Sequence, residues 1–285
     1  MNKTKLAKPA SIAFGTVALA LGGQAFAQDW TSQDFIKPYD ETVQINLGGI
    51  VNQFDTSLRL DGQNSQGTNL NLENNGLKKN LSSFEAALQW RIAQRHRLDF
   101  DYYTVKRSGS HTYSGEIDLG DNHYPYGASV GMSNKYDLFA IDYRYSFIQD
   151  PDYEIAGLFG FYGGKVTFDV NAVGTLGTNN STVSGAYNKS VSTTIPLPMI
   201  GASWDWYPNR QTKLSALGMG MKAQIGSVDG HAYVLGAGGE YLLTRNLGVG
   251  ARYTYVDISA TVKSDFNGDF SWRVNTFSLY AKLEF

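Results

Sequence analysis

Two short residue pairs in this 285-residue chain have types and spacing suited to acid–base chemistry. Asp99-Phe100-Asp101 puts two carboxyl groups on one face of an extended strand, because side chains there alternate. Asp229-Gly230-His231 sets an acid beside an imidazole in the same way, an arrangement that can orient the ring and fix its tautomer. His111 and Ser114 offer a base near a hydroxyl. Asp118, Asp121 and Asn122 are oxygen donors of the kind that hold calcium loosely, although loop acids are usually just solvated. No His-Glu-x-x-His spacing occurs, and the glycines at 218–220 and 236–239 open no helix, so zinc-protease and phosphate-loop chemistry are not indicated. There is no cysteine, which excludes a thiol nucleophile, a disulfide framework, a thiolate metal site and a lipid-bearing lipoprotein cysteine. No cofactor and no metal ligand set is expected. The formal net charge of -2 gives no basic footprint for nucleic acid.

The elements that would position these residues are strands. Residues 1–27 read as a secretory signal: Lys3, Lys5 and Lys8, an apolar run over 11–21, then Ala25-Phe26-Ala27 as the cleavage site. Residues 28–41 form a short N-terminal segment, too short for a plug domain. Beyond it no apolar run reaches 18 residues. Period-two alternation recurs instead. Phe277, Leu279, Ala281, Leu283 and Phe285 alternate with Ser278, Tyr280, Lys282 and Glu284. Such a strand serves a barrel whose outer side chains meet lipid and whose inner ones meet a lumen.

The last nine residues, FSLYAKLEF, resemble the C-terminal signature of bacterial outer-membrane β-barrels, which the barrel-insertion machinery reads. The stretch RLDFDYYTVKRSGSHTYSGEIDLGDNHYPYGASV, with IDYRYSF after it, is similar to uncharacterised proteobacterial outer-membrane proteins grouped loosely with OmpA- and OmpW-type barrels. The resemblance covers most of the chain that follows Ala27. It implies an all-β, antiparallel up-and-down transmembrane barrel in the outer membrane. Lipid and lipopolysaccharide would surround it, and periplasmic chaperones and the insertion machinery would be transient partners. It implies no catalytic chemistry.

Tight turns are expected at 93–96, 149–152, 208–210 and 244–246, from their Asp, Asn, Pro and Arg content. They divide the chain into ten strands, near 42–60, 80–92, 97–117, 129–148, 153–170, 190–207, 211–226, 231–243, 247–262 and 270–285. Eight and twelve are the neighbouring even counts. Polar loops are expected at 62–76, 108–133 and 174–190 on the extracellular side. Trp90, Trp204, Trp206 and Tyr207 suggest a periplasmic aromatic girdle. Pro196 and Pro198, which cannot donate to a ladder, are placed at the outer end of the sixth strand.

The alternation sends Glu85, Arg91, Asp99, Asp101, Asp142, Arg144, Lys222, Glu240, Arg252, Lys282 and Glu284 into the lumen. A midplane Arg or Lys facing lipid would cost about 2–4 kcal/mol. These acids and bases nearly balance, which favours ion pairs that fill the space over a selective ring of one sign. Ten strands give a backbone radius of roughly 11 Å, so the lumen should be narrow and polar throughout. The expected protein is non-enzymatic, serving envelope structure, surface contact or restricted passage of a small solute. The alternative is an outer-membrane enzyme at the extracellular rim, acting on lipid A or as an omptin-like protease. Topology argues against the protease, since Asp99 and Asp101 lie just past a periplasmic turn while Asp229 and His231 lie at an extracellular one.

Overall fold

The computed structural model describes residues 39–63, 65–124, 128–178, 181–263 and 267–285. The expected signal sequence at 1–27 and most of the 28–41 segment lie outside the described residues. Ten long antiparallel strands form the wall: β1 Val43–Leu60, β3 Asn80–Ala93, β4 His96–Thr112, β7 Ser129–Asp150, β8 Tyr153–Thr178, β9 Ser181–Asn209, β10 Thr212–Ile225, β11 Val228–Leu242, β12 Leu247–Lys263 and β13 Asn267–Glu284. Three short strands accompany them: β2 Asn69–Asn71, β5 Ile117–Leu119 and β6 Asn122–Tyr124. Each long strand pairs with its neighbours in the chain, and β1 pairs with β13 from Gln44–Glu284 to Leu60–Gly268, closing the sheet on itself. Closure gives each of the ten long strands a partner on both sides over at least part of its length.

The ten strands and four short turns agree with the sequence. The turns at one end are residues 94–95, 151–152, 210–211 and 243–246, and the described chain also starts and finishes there. This is the turn end; the long connections define the loop end. One expected loop is different. Residues 174–190 largely continue as a hairpin arm, with β8 and β9 paired out to Thr178–Ser181.

The two faces of the wall exchange character along the axis. From the turn end, the outward face of β1 reads Ile45, Leu47, Gly49, Val51, then Gln53, Asp55, Ser57 and Arg59. Its inward face reads Gln44, Asn46, Gly48, Ile50, Asn52, then Phe54, Thr56, Leu58 and Leu60. β13 repeats the exchange: outward Phe285 to Phe277 gives way to Asn275 and Arg273, while inward Glu284, Lys282 and Tyr280 give way to Val274, Trp272 and Phe270. The reason is the solvent outside. Where the outer face is apolar, the interior takes the polar groups. Where the outer face is polar, the interior can close as an ordinary hydrophobic core.

The expectation of a lumen polar along its whole length is therefore corrected. Near the loop end the interior is packed with apolar side chains in two layers. One holds Phe54, Val105, Tyr136, Trp272 and Val274. The other, above it, includes Leu58, Leu70, Leu72, Ile117, Leu119 and Tyr124. The β5–β6 hairpin and the segment after β2 supply much of that outer layer, so they cap the barrel.

Two local registers matter for the interior. β9 pairs with β10 only as far as Ile200–Gly220, while its pairing with β8 continues. Pro196 and Pro198 lie just beyond that point, opposite Gly163 and Phe161 of β8. A proline nitrogen has nothing to give a ladder, and here the β10 side of β9 asks for nothing. β3 pairs with β4 only from Ala86–Tyr102 to the turn, while β3 remains paired to β1 from Trp90 to Asn80.

Candidate functional site

The turn-end half of the interior is an ion-paired network. Arg91 bridges Glu41 at 3.0 Å and Glu154 at 3.1 Å. Arg97 reaches Asp99 at 3.3 Å and Asp205 at 3.5 Å, and Arg144 also pairs with Asp99. Across the barrel, Glu240 receives Lys213 at 2.7 Å, Lys282 at 2.8 Å and the Tyr280 hydroxyl at 2.9 Å. Lys282 also meets Glu284 at 2.8 Å. Arg252 donates to Glu85 at 3.1 Å and lies 3.9 Å from Asp101. Buried charges survive only when paired and hydrogen-bonded, and these groups are held so by strands far apart in sequence.

Ten of the eleven residues assigned to the lumen project inward. Lys222 does not. On β10 the inward row is Lys213, Ser215, Leu217, Met219 and Met221, with Met219 almost fully buried against Leu158, Met199 and Val234. Lys222 is exposed on the outer face, level with His231 of β11. Sending Lys222 into the lumen puts the apolar Leu217–Met221 row on the lipid side, where its composition would suit it. At that height the interior is apolar too, so apolarity no longer identifies the face. Tyr207 is likewise corrected: it is buried inward, while Trp90, Trp204 and Trp206 stand exposed on the outside.

Several interior partners were not found from sequence. Arg97 continues the inward row of Asp99 and Asp101, so the alternation contained it. Lys213 was lost with the register of β10. Glu154 and Asp205 lie close to turns, where the alternation has few residues to establish itself. Arg107, fully buried, pairs with Glu73 at 2.5 Å, donates to the Thr56 hydroxyl at 2.9 Å and stacks over the Phe54 ring at 4.0 Å. Its partner Glu73 lies in the β2–β3 connection, which has no periodicity to read.

Between the ion-paired half and the apolar cap is a cavity of about 190 Å³. Its turn-end side carries Glu85, Asp99, Asp101, Asp142, Arg144 and Arg252. Its loop-end side carries Tyr136, Leu197, Val256, Ile258, Phe270 and Trp272. Asp142 is buried, and among the described residues its one hydrogen-bond partner is the Tyr162 hydroxyl at 3.0 Å. Its Oδ1 has no partner, nor has Glu85 Oε1. Such a chamber can hold a small molecule with a polar end and an apolar end.

The catalytic pairings are not assembled. Asp99 lies opposite Gln89 and Asp142 near the turn end, whereas Asp229 and His231 pair with Thr261 and Ser259 near the loop end. His231 shares the outward face of Tyr233. His111 packs on Tyr113 at 5.0 Å. His123 contacts Asp118 at 2.6 Å in the β5–β6 hairpin. No group of three or more metal-ligating side chains occurs among the described residues.

No protein-family model matches the chain, and no curated protein matches it. Solved structures do. The crystal structure of the outer membrane protease OmpT from Escherichia coli is similar over 90% of this chain and 100% of its own, at 11% identity and a TM-score of 0.55. Ail, the attachment invasion locus protein of Yersinia pestis, matches over 86% and 99% at 14% identity, with a TM-score of 0.32. The translocator domain of autotransporter NalP from Neisseria meningitidis matches over 86% and 88% at 10% identity, with a TM-score of 0.33. The likeness to the first of these, at 11% identity, concerns architecture alone: with its closed antiparallel wall, the chain has the fold of a bacterial outer-membrane β-barrel.

Proposed function

We propose that the chain is an integral, non-enzymatic protein of the bacterial outer membrane whose interior serves the restricted passage of a small solute. The signal sequence, with cleavage after Ala27, would deliver it. The turn end would face the periplasm and the loop end the exterior. The apolar outer band, which runs from Phe277 to Phe285 on β13, is on the order of the 9–11 residues a tilted strand needs to cross a bilayer.

The observation that carries the solute reading is the chamber itself, enclosed by the wall and stopped by the cap on one side and the ion pairs on the other. An inert structural barrel would be expected to fill that space. Both stops must move for flow along the axis, so conductance should be small. The test is recording from the purified full chain in a planar bilayer. Rare, small steps that grow when Arg144 is replaced by Ala, and stay unchanged for Lys222→Ala, support passage through the interior. Complete silence of both proteins removes the passage reading and leaves an envelope or surface role.

A further inference from the structure

We propose that the cavity is a binding site for a small amphiphilic amine, and that the molecule enters sideways between β3 and β4. This deepens the solute reading above and rests on it. The head-group chemistry follows from the charges. Asp99 is occupied by Arg97 and Arg144, and Glu85 and Asp101 share Arg252. Asp142 has no ion pair among the described residues, although it is 95% buried. The acceptors Asp142 Oδ1 and Glu85 Oε1 are both buried, without partners, and line the chamber. An ammonium supplies several donors and the missing positive charge, whereas a carboxylate or phosphate would add repulsion. The other side of the chamber is aromatic and aliphatic and suits a short tail. Asn52 Nδ2 and Trp272 Nε1 are also unpartnered there, so a hydroxyl or ether along the tail would be accommodated. The volume exceeds the roughly 150 Å³ apolar cavity that admits a benzene ring.

The route follows from the register. Above Ala86–Tyr102 the β3–β4 ladder stops, and the Ser83 hydroxyl on the Thr104 carbonyl at 3.0 Å bridges the gap. Higher up, the backbone at Gly76 abuts Gly109 and fills the space. At the break, the chamber is lined by Leu88, Tyr102 and Phe139, whose side chains are exposed on the outer face. An apolar groove on that face, formed with Ile45, Leu47 and Ala86, shares six lining residues with the chamber. Asp101 and the small Ala87 and Ala140 are among the shared ones, so the wall is thin there and has an acid in it.

The test uses the full processed chain in nanodiscs, each variant first checked for the heat-dependent gel mobility of a folded barrel. The probes are octylammonium, octanol and octanoate, and the readout is tryptophan fluorescence, with Trp272→Phe identifying the chamber's contribution. The expected result is a saturable Trp272 response to octylammonium, about tenfold or more weaker for octanol and octanoate, and about tenfold or more weaker for octylammonium in Asp142→Asn. Equal binding of the three probes, or an unaffected Asp142→Asn, overturns the amine assignment. No saturable response overturns the site. Ala86→Phe, on the outer groove, should slow association several-fold while the plateau persists; an unchanged rate overturns the sideways route. Conductance is recorded on the same preparations, so a chain that conducts without binding refutes this inference alone.

Discussion

Glu240 shows how much a single interior carboxylate holds. It receives two lysines, a tyrosine hydroxyl and the Gln44 amide at 3.2 Å, drawn from three other strands, β1, β10 and β13. Replacing it with Ala leaves Lys213 beside Lys282 in a buried site without its carboxylate, while Lys282 keeps Glu284. That should cost about 3–5 kcal/mol, the usual consequence of stranding a buried charge. Denaturant unfolding from lipid vesicles measures it, and a loss under about 1 kcal/mol would mean that water reaches the site freely. At the other end of the molecule, Arg59 clips the β1–β2 connection. Its hydrogen bond to Asp61 holds that carboxyl below the ordinary carboxylate range, against the opposing effect of partial burial, with help from the Gly67 amide. A depressed acid stabilises the fold fully above its unfolded value, near pH 4. The contribution disappears as pH falls below that value and through the lower folded one. The protection factor of the Gly67 amide, its exchange rate taken relative to the intrinsic rate at each pH, should therefore fall in strong acid and be indifferent to pH between 5 and 8.

At the level of strands, the chain announced its outer surface far better than its interior. Ten strands were legible because the outward rows, such as Phe277 to Phe285, repeat one simple demand over many residues. The inward rows answer two demands, polar near the turns and apolar near the loops, and the change between them leaves no mark in a single strand. β10 is the case that suffered, since Leu214 and Ala216 outside and Leu217 and Met219 inside are equally greasy. Nor could alternation say at what height two inward residues meet, so the pairing of Arg91 with Glu154 or of Arg252 with Glu85 was out of reach. Its register is testable by labelling. Lys222→Cys should react with a membrane-impermeant maleimide on intact cells, and Met219→Cys should be protected; the reverse pattern would restore the rejected orientation. Met219→Lys should also prevent insertion or cost several kcal/mol by burying an unpaired ammonium in an apolar layer, while Lys222→Gln should change stability by no more than about 0.5 kcal/mol.

As a whole, the described barrel holds an apolar layer toward its loop end and an ion-paired network toward its turn end. The cap over the loop end is hydrophobic, so a charge placed in it should unseat it. Leu119→Asp, at a side chain with no exposure, should give larger and more frequent conductance steps than the parent chain if the cap is the outer stop. Unchanged steps would place the path elsewhere in the wall. The joint between β1 and β13 carries a different implication. Its partners, Gln44 with Glu284 and Ile45 with Leu283, belong to the first and last of the described strands. Among the described strands β1 must wait for β13, with one side unsatisfied until then, and a product lacking β13 is an open ribbon ready to stick to another. Assembly of such a chain is an all-or-nothing event whose final step is a handshake between those two strands, and loss of β13 should yield aggregate in place of a smaller barrel.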